Sequence, residues 1–185
     1  MSPVPNSSKV NASVCPLSPI MTLKVGEKAP QFSAQADDGG QLDLLGLLRE
    51  GNVVLYFYPK DETMGCTAEA CSFRDNWSEV RAEKAVVIGV SSDSVESHAS
   101  FKKHHDLPFT LVSDPDKRIR ESYGVRGRIM PARVTFVIDQ SGVIRHIYDS
   151  NLAPTHHVRE ALAALRRINE GITSNTHPPA DTSHD

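Results

Sequence analysis

"VVLYFYPKDETMGCTAEACSFRD", residues Val53 to Asp75, changes character midway. Its first six residues, Val53 to Tyr58, form a continuous β-branched, aliphatic and aromatic run, the mark of a strand buried on both faces. The second half reads as a helix that begins near Cys66 and sets Ala70, Phe73, Trp77 and Val80 at helical spacing on one face. Cys66 therefore falls at the turn from strand to helix, the place where open α/β sheets bind ligands.

Working outward, the alternation continues. Ala85 to Val90 ("AVVIGV") is a second strand, Val134 to Asp139 ("VTFVID") a third and Val143 to Tyr148 ("VIRHIY") a fourth. The last two are joined by a tight turn ending in Gly142 and should pair as an antiparallel hairpin. A helix should follow "SSDSVE", with Asp93 as cap and Glu96 answering three residues later. Another should start at "DPDKR", with Asp114 as cap, Pro115 at the first helical position and Gly124 at the end. A closing helix from Thr155 to about Asn169 should bury Val158, Leu162, Leu165 and Ile168 and stop at Gly171. Strand, helix, strand, helix, hairpin and closing helix describe an α/β fold, a central mixed sheet with helices on both faces. That order is the thioredoxin-like plan.

The 185-residue chain has room for one domain with a proper core. Residues 23–170 are expected to be that domain, with 1–22 a disordered Ser/Pro/Asn-rich extension and 171–185 a flexible tail. Met21 is an alternative start, and an organellar transit segment within 1–22 stays an alternative to a cytoplasmic protein. Hydrophobic residues make up 39% and charged residues 23%, and the net charge is −3. No basic stripe points to nucleic acid, and no apolar run is long enough to cross a bilayer.

Three cysteines, Cys15, Cys66 and Cys71, do not make a secreted disulfide framework. Cys15 reads as a bystander. At Cys66 the unpaired N–H groups of a helix start and the helix dipole both favour thiolate over thiol. The competing reading, an inert buried cysteine, is opposed by Gly65, Thr63 and Thr67. Cys71 lies five positions on, so its Cα is about 8–9 Å from that of Cys66 in an intact helix. A disulfide needs about 4.4–6.8 Å. The two thiols can bond only after the first turns unwind, which suits a reaction in two steps. A dithiol oxidoreductase would want Cys-x-x-Cys. A copper carrier of this fold would space its cysteines three apart with a distant His. His104–His105 and His156–His157 read as solvated surface. A structural zinc site lacks its remaining ligands at any recognised spacing.

The motif Pro-x-x-x-Thr-x-x-Cys, here Pro59, Thr63 and Cys66, with its continuation "CTAEACSFRD", resembles the peroxiredoxins, in particular the bacterioferritin-comigratory-protein or PrxQ group. "GEKAPQFSAQADDG" and "ARVTFVIDQSGVI" are similar to the same family, and the resemblance runs from about Leu23 to Glu170. It implies a thiol peroxidase for hydrogen peroxide and organic hydroperoxides. Cys66 would be the peroxidatic thiolate and Cys71 the resolving cysteine. Thr63 would hold thiolate and peroxide in line, Pro59 would screen the pocket, and Arg133 would supply a permanent cation, with the Gly65 and Cys66 N–H groups as donors and Glu69 as support for Arg133. The implied partner is thioredoxin or a similar dithiol; no metal, haem or flavin is implied, and a monomer or weak dimer suffices. Met64 stands where the group often has Pro. The tail has no cysteine to make an intersubunit bond.

Overall fold

The computed structural model describes residues 23–125 and 132–171. The expectations for the 1–22 extension, for Cys15 and for residues 172–185 lie outside the described residues. In chain order the elements are β1 (Ser33–Ala36), β2 (Gln41–Asp43), α1 (Leu44–Glu50), β3 (Asn52–Phe57), α2 (Met64–Asp75), α3 (Trp77–Ala82), β4 (Ala85–Ser91), α4 (Val95–His104), β5 (Thr110–Ser113), α5 (Arg118–Ser122), β6 (Val134–Ile138), β7 (Ile144–Asp149) and α6 (His156–Asn169). The strands make one seven-stranded sheet, ordered β2-β1-β5-β4-β3-β6-β7. β3, β4 and β5 run parallel, β6 is antiparallel to β3, and β6–β7 is the expected hairpin.

β3 shows why its sequence lacks alternation. All six residues are buried, because helices cover both faces of the sheet. Val53, Leu55 and Phe57 join a core with Leu44, Leu47 and Leu48 of α1 and Ile119 of α5. Val54, Tyr56 and Tyr58 join a second core with Cys66, Ala70 and Phe73 of α2, Val80 of α3, Phe101 of α4 and Leu165 of α6. Burying each large side chain contributes about 1.5–3 kcal/mol. Tyr56 stacks on Phe73 with centroids 5.0 Å apart and on Tyr58 at 5.4 Å. Across the β3–β4 pair Tyr56 lies opposite Gly89. A Cβ at Gly89 would sit 2.7 Å from the Tyr56 hydroxyl, so only glycine fits there.

Several local expectations are corrected. The helix carrying Cys66 starts at Met64 and does not run on to Val80. It breaks at Asn76, whose side-chain amide donates to the Ser72 carbonyl at 2.8 Å, and α3 starts afresh at Trp77. The cap of α4 is Ser94, which accepts from Ser97 N–H. Asp93 is committed elsewhere, accepting from Ser91 Oγ and Asp61 N–H. Pro115 sits in a turn and not at a first helical position. α5 begins only at Arg118, after Lys117 in a left-handed conformation, and the Asp114 carboxylate accepts from the N–H groups of Ile119 and Arg120. His157 is fully buried, not solvated, while His156 is exposed. Among the described residues no helix is long and apolar enough to cross a membrane.

Candidate active site

The parallel strand β3 delivers the chain to its C-terminal edge at Tyr58, and the turn Pro59–Thr63 hands it to α2. The first bond within α2 runs from Thr67 N–H to the Thr63 carbonyl, 2.8 Å. The N–H groups of Met64, Gly65 and Cys66 precede it and have no partner inside the helix. Cys66, third in the helix, is only 1% exposed and packs against the Tyr56 face of the sheet. Cys71 lies in the same intact helix, half-buried, and both thiols are free.

Arg133 comes to Cys66 through strand register. β6 is antiparallel to β3 with Val134 opposite Phe57, so the residue before β6 lies beside the turn that follows β3. Its main chain is fixed there, with the N–H donating to Asn151 Oδ1 at 2.9 Å and the carbonyl accepting from Ser150 N–H at 3.2 Å. The buried guanidinium donates through Nη2 to Cys66 Sγ at 3.4 Å and through Nη1 to the Glu69 carboxylate. Glu69, one turn after Cys66, has no exposed surface. Gly65 gives the guanidinium its place, since a Cβ there would lie 3.1 Å from Nη2.

Charge in this site is set by burial against pairing. Burial pulls the Arg133 guanidinium down, but Glu69 and the Cys66 sulfur together outweigh it and hold it above its ordinary value. At Glu69 burial wins over the guanidinium, and the carboxyl is pushed up to about 8. Behind Glu69 lies His157 of α6. Its Nε2 is 2.9 Å from the Ser150 carbonyl, its Nδ1 2.8 Å from Thr135 Oγ1 and 3.5 Å from Glu69 Oε1. Burial lowers His157 to about 4, so the ring is neutral at pH 7. With Nε2–H donating to the carbonyl, Nδ1 is left as acceptor. A chain of buried polar groups thus runs Thr135–His157–Glu69–Arg133–Cys66.

The other expected residues sit around this chain differently. Pro59 is half-buried in the turn between β3 and α2. Thr63 is exposed, and its hydroxyl donates to the Lys60 carbonyl at 3.0 Å, not to Cys66. Met64 is 90% exposed at the mouth.

Three groups escaped the sequence reading. Arg120 of α5 donates to the Ala132 carbonyl at 3.0 Å and to the Tyr58 carbonyl at 2.7 Å, tying together the chain ends that present Cys66 and Arg133. Asp61 anchors the turn: its carboxylate accepts from Tyr58 Oη and Ser97 Oγ, each at 2.7 Å, and meets His98 Nδ1 at 2.9 Å. Burial alone would raise the Asp61 carboxyl; the hydrogen bonds from His98 and Tyr58 hold it below its ordinary value. His157 had a signal, since it shares the α6 face of Ala161, Ala164 and Leu165, but its adjacency to His156 masked it. A separate cleft of about 240 Å³ between α2 and α6, lined by Ser72, Asn76, Val158 and Leu162, does not include Cys66. The arrangement presents a nearly dry thiol under a fixed cation, with a second thiol five residues on.

The chain as a whole is similar to known proteins. The AhpC/TSA family profile matches residues 25–147. The putative peroxiredoxin bcp of Coxiella burnetii is 44% identical over 153 residues, which is 78% of this chain and 100% of that protein. The crystal structure of peroxidoxin BcpB from Mycobacterium tuberculosis superposes with a TM-score of 0.75 at 36% identity, over 79% of this chain and 98% of that one. A bacterioferritin comigratory protein of Xanthomonas campestris, crystallised in a study of its alkyl peroxide reduction activity, gives 0.68 at 29% identity, over 74% and 91%. The chain therefore belongs to the AhpC/TSA family, as a peroxiredoxin enzyme of the bacterioferritin-comigratory-protein group.

Proposed function

We propose that this chain reduces hydrogen peroxide and organic hydroperoxides with Cys66 as the attacking thiolate. The observation that carries the reading is the buried Arg133 guanidinium, held by Glu69 and aimed at Cys66 Sγ from 3.4 Å. A fixed cation in a dry pocket stabilises the thiolate and the alkoxide that leaves as the O–O bond breaks. Sulfur gives up two electrons, the S–O bond of a sulfenic acid forms, and the other peroxide oxygen departs as alcohol or water. The alkyl peroxide activity named for the Xanthomonas relative supports this substrate class.

Thr63 and Pro59 complete the pocket. For Thr63 to align the peroxide, its hydroxyl must rotate away from the Lys60 carbonyl that it now holds. Pro59, which has no N–H, shields the thiol from water without adding a donor. The first turns of α2 then unwind, Cys71 attacks the sulfenic sulfur, the 66–71 disulfide forms and water leaves. A dithiol of the thioredoxin class returns both cysteines to thiols by exchange. Because both cysteines lie in one chain, a monomer or weak dimer in the cytoplasm suffices.

The test is peroxide-dependent NADPH consumption coupled through thioredoxin and its reductase. Wild type should turn over, Cys66→Ser should not, Cys71→Ser should react once and stall, and Cys15→Ser should be unaffected. Turnover by the Cys66 variant removes the nucleophile from the reading. Peroxide-insensitive wild type would favour a redox-binding module without turnover.

A further inference from the structure

Outside the thiol site, three side chains with no part in the chemistry above converge. Glu62 lies in the turn before α2, with its backbone left-handed at φ 58°. His104 is the last residue of α4 and His105 its C-cap. Glu62 Oε1 is 3.0 Å from His104 Nδ1, and Oε2 is 3.0 Å from His105 Nε2. One ligand atom from each of the three lies within 4.8 Å of the others. The two imidazoles are tilted by 31° with centroids 4.5 Å apart, side by side on one carboxylate.

We propose that Glu62, His104 and His105 bind a divalent transition ion of the zinc type, and that the ion clamps the turn leading into α2. Two imidazole nitrogens and one carboxylate form a three-ligand set that zinc accepts, with water in the remaining position. Zinc ligands at about 2.0–2.2 Å in a tetrahedron lie about 3.4 Å from one another; the three ligand atoms, already within 4.8 Å of one another, draw together around the ion as the 3.0 Å contacts of His104 and His105 with the two carboxylate oxygens give way. Magnesium and calcium prefer oxygen ligands throughout and suit the set poorly. Half-exposed Glu62 and exposed His104 leave an open path for the ion. The C-terminal end of α4 also favours positive charge.

The location gives the ion its effect. Glu62 immediately precedes Thr63, the N-cap of α2, while His104 and His105 end α4. At its other end α2 is already tied to the same place, because Arg74 Nη1 donates to the His105 carbonyl at 2.8 Å. An ion at Glu62 would pin both ends of the helix that must unwind before Cys71 can reach Cys66. The clamp half of this inference rests on the Cys71 reading above; the binding half does not.

Binding is tested in the full-length chain carrying Cys15→Ser, Cys66→Ser and Cys71→Ser, so that no thiolate competes. Co²⁺ serves as the spectroscopic probe, Zn²⁺ is measured by competition, and Mg²⁺ is the negative control. Adding His104→Ala with His105→Ala should remove one equivalent of bound ion. Glu62→Gln should weaken it by at least about tenfold, since even outer-shell changes cost about 10–100-fold. Unchanged Co²⁺ and Zn²⁺ binding in the double-histidine variant overturns the site. The clamp is then tested in chains with all cysteines present, by quenching after one peroxide equivalent and mapping the 66–71 bond. Zn²⁺ should slow that bond about fivefold or more relative to the double-histidine variant, a coupling of ordinary size. Equal slowing in both chains overturns the clamp. Failure of either chain to form the bond without zinc refutes the Cys71 reading and leaves the site standing.

Discussion

Replacing Gly65 with alanine should make the protein more stable and slower. Gly65 is the second residue of α2, and alanine there avoids the backbone entropy that glycine loses in a helix, a gain of up to about 1 kcal/mol. For a chain of this size that raises Tm by about 2–4 °C. The new Cβ, however, would lie 3.1 Å from Arg133 Nη2, so the guanidinium must give by a few tenths of an ångström. It cannot swing freely, because Nη1 is held by Glu69 and the main chain by Asn151. The strain falls on the weakest of its contacts, the 3.4 Å bond to Cys66 Sγ. Losing a donor of this kind outright costs about 2.7–4 kcal/mol; partial displacement should cost about 1.4 kcal/mol, a tenfold slower oxidation of Cys66. The rate is read by competition against a haem peroxidase for a limiting pulse of hydrogen peroxide, and Tm by calorimetry. In an Arg133→Ala background the same change should have no further effect on rate. Wild-type oxidation by Gly65→Ala, or an equal loss in both backgrounds, would refute the idea that the glycine serves the guanidinium.

Other outcomes follow from the same geometry. Arg133→Ala should slow sulfenic acid formation by about 10²–10³-fold with the fold retained, and Lys should rescue only part because it lacks the planar fork; an Ala variant oxidised at the wild-type rate excludes the residue. On oxidation, hydrogen exchange should quicken across Gly65–Arg74 while β3 and β6 stay protected. Unchanged protection in α2 would mean the two thiols never pair within one chain. Glu69, with its carboxyl raised above the ordinary 4.5 to about 8, contributes stability that is complete below about pH 4.5 and is lost as the pH rises through about 8. Glu69→Gln should flatten that decline in denaturant midpoints taken from pH 5 to 9. An identical decline in the variant rejects the assignment.

What the sequence discloses depends on how locally each signal is written. β3, β4 and β6 announce themselves because strands covered on both faces need apolar residues throughout, β7 because a tight turn ending in Gly142 joins it to β6, and α6 because one face buries Val158, Leu162 and Leu165. β1 and the edge strand β2 are short and of mixed polarity, SAQA and QLD, with no period long enough to read. The cap of α4 was misplaced by one residue because Asp93 and Ser94 are both good caps. Ser91 Oγ and the distant Asp61 N–H decide between them by claiming Asp93. At the site, Cys66 and Glu69 share a helix, so their proximity could be derived. Arg133 entered through the family resemblance, and its place directly before the buried strand β6 agrees with a cation that needs a partner. Arg120 left no trace, because its partners are carbonyls of Tyr58 and Ala132, which any residue types would supply. The resting partner of the Thr63 hydroxyl left no trace for a similar reason: it is the Lys60 carbonyl three residues back, which any residue type would supply.

The interruption at Asn76 sets how far a redox event can travel. If α2 and α3 were one rod, unwinding near Cys66 would shift the register of everything on it, including Trp77 and the contacts of Val80 with the sheet. At Asn76 the side-chain amide joins the backbone N–H on the Ser72 carbonyl, and the rod is cut after twelve residues. In the proposed cycle the segment 64–75 would act as a removable cartridge, spent and reset with α3 left in place. A tryptophan placed just past the cut, against Phe109 at 6.1 Å, should change little in fluorescence as the cartridge cycles. The same cut offers a natural boundary for grafting another pair of thiols into this scaffold.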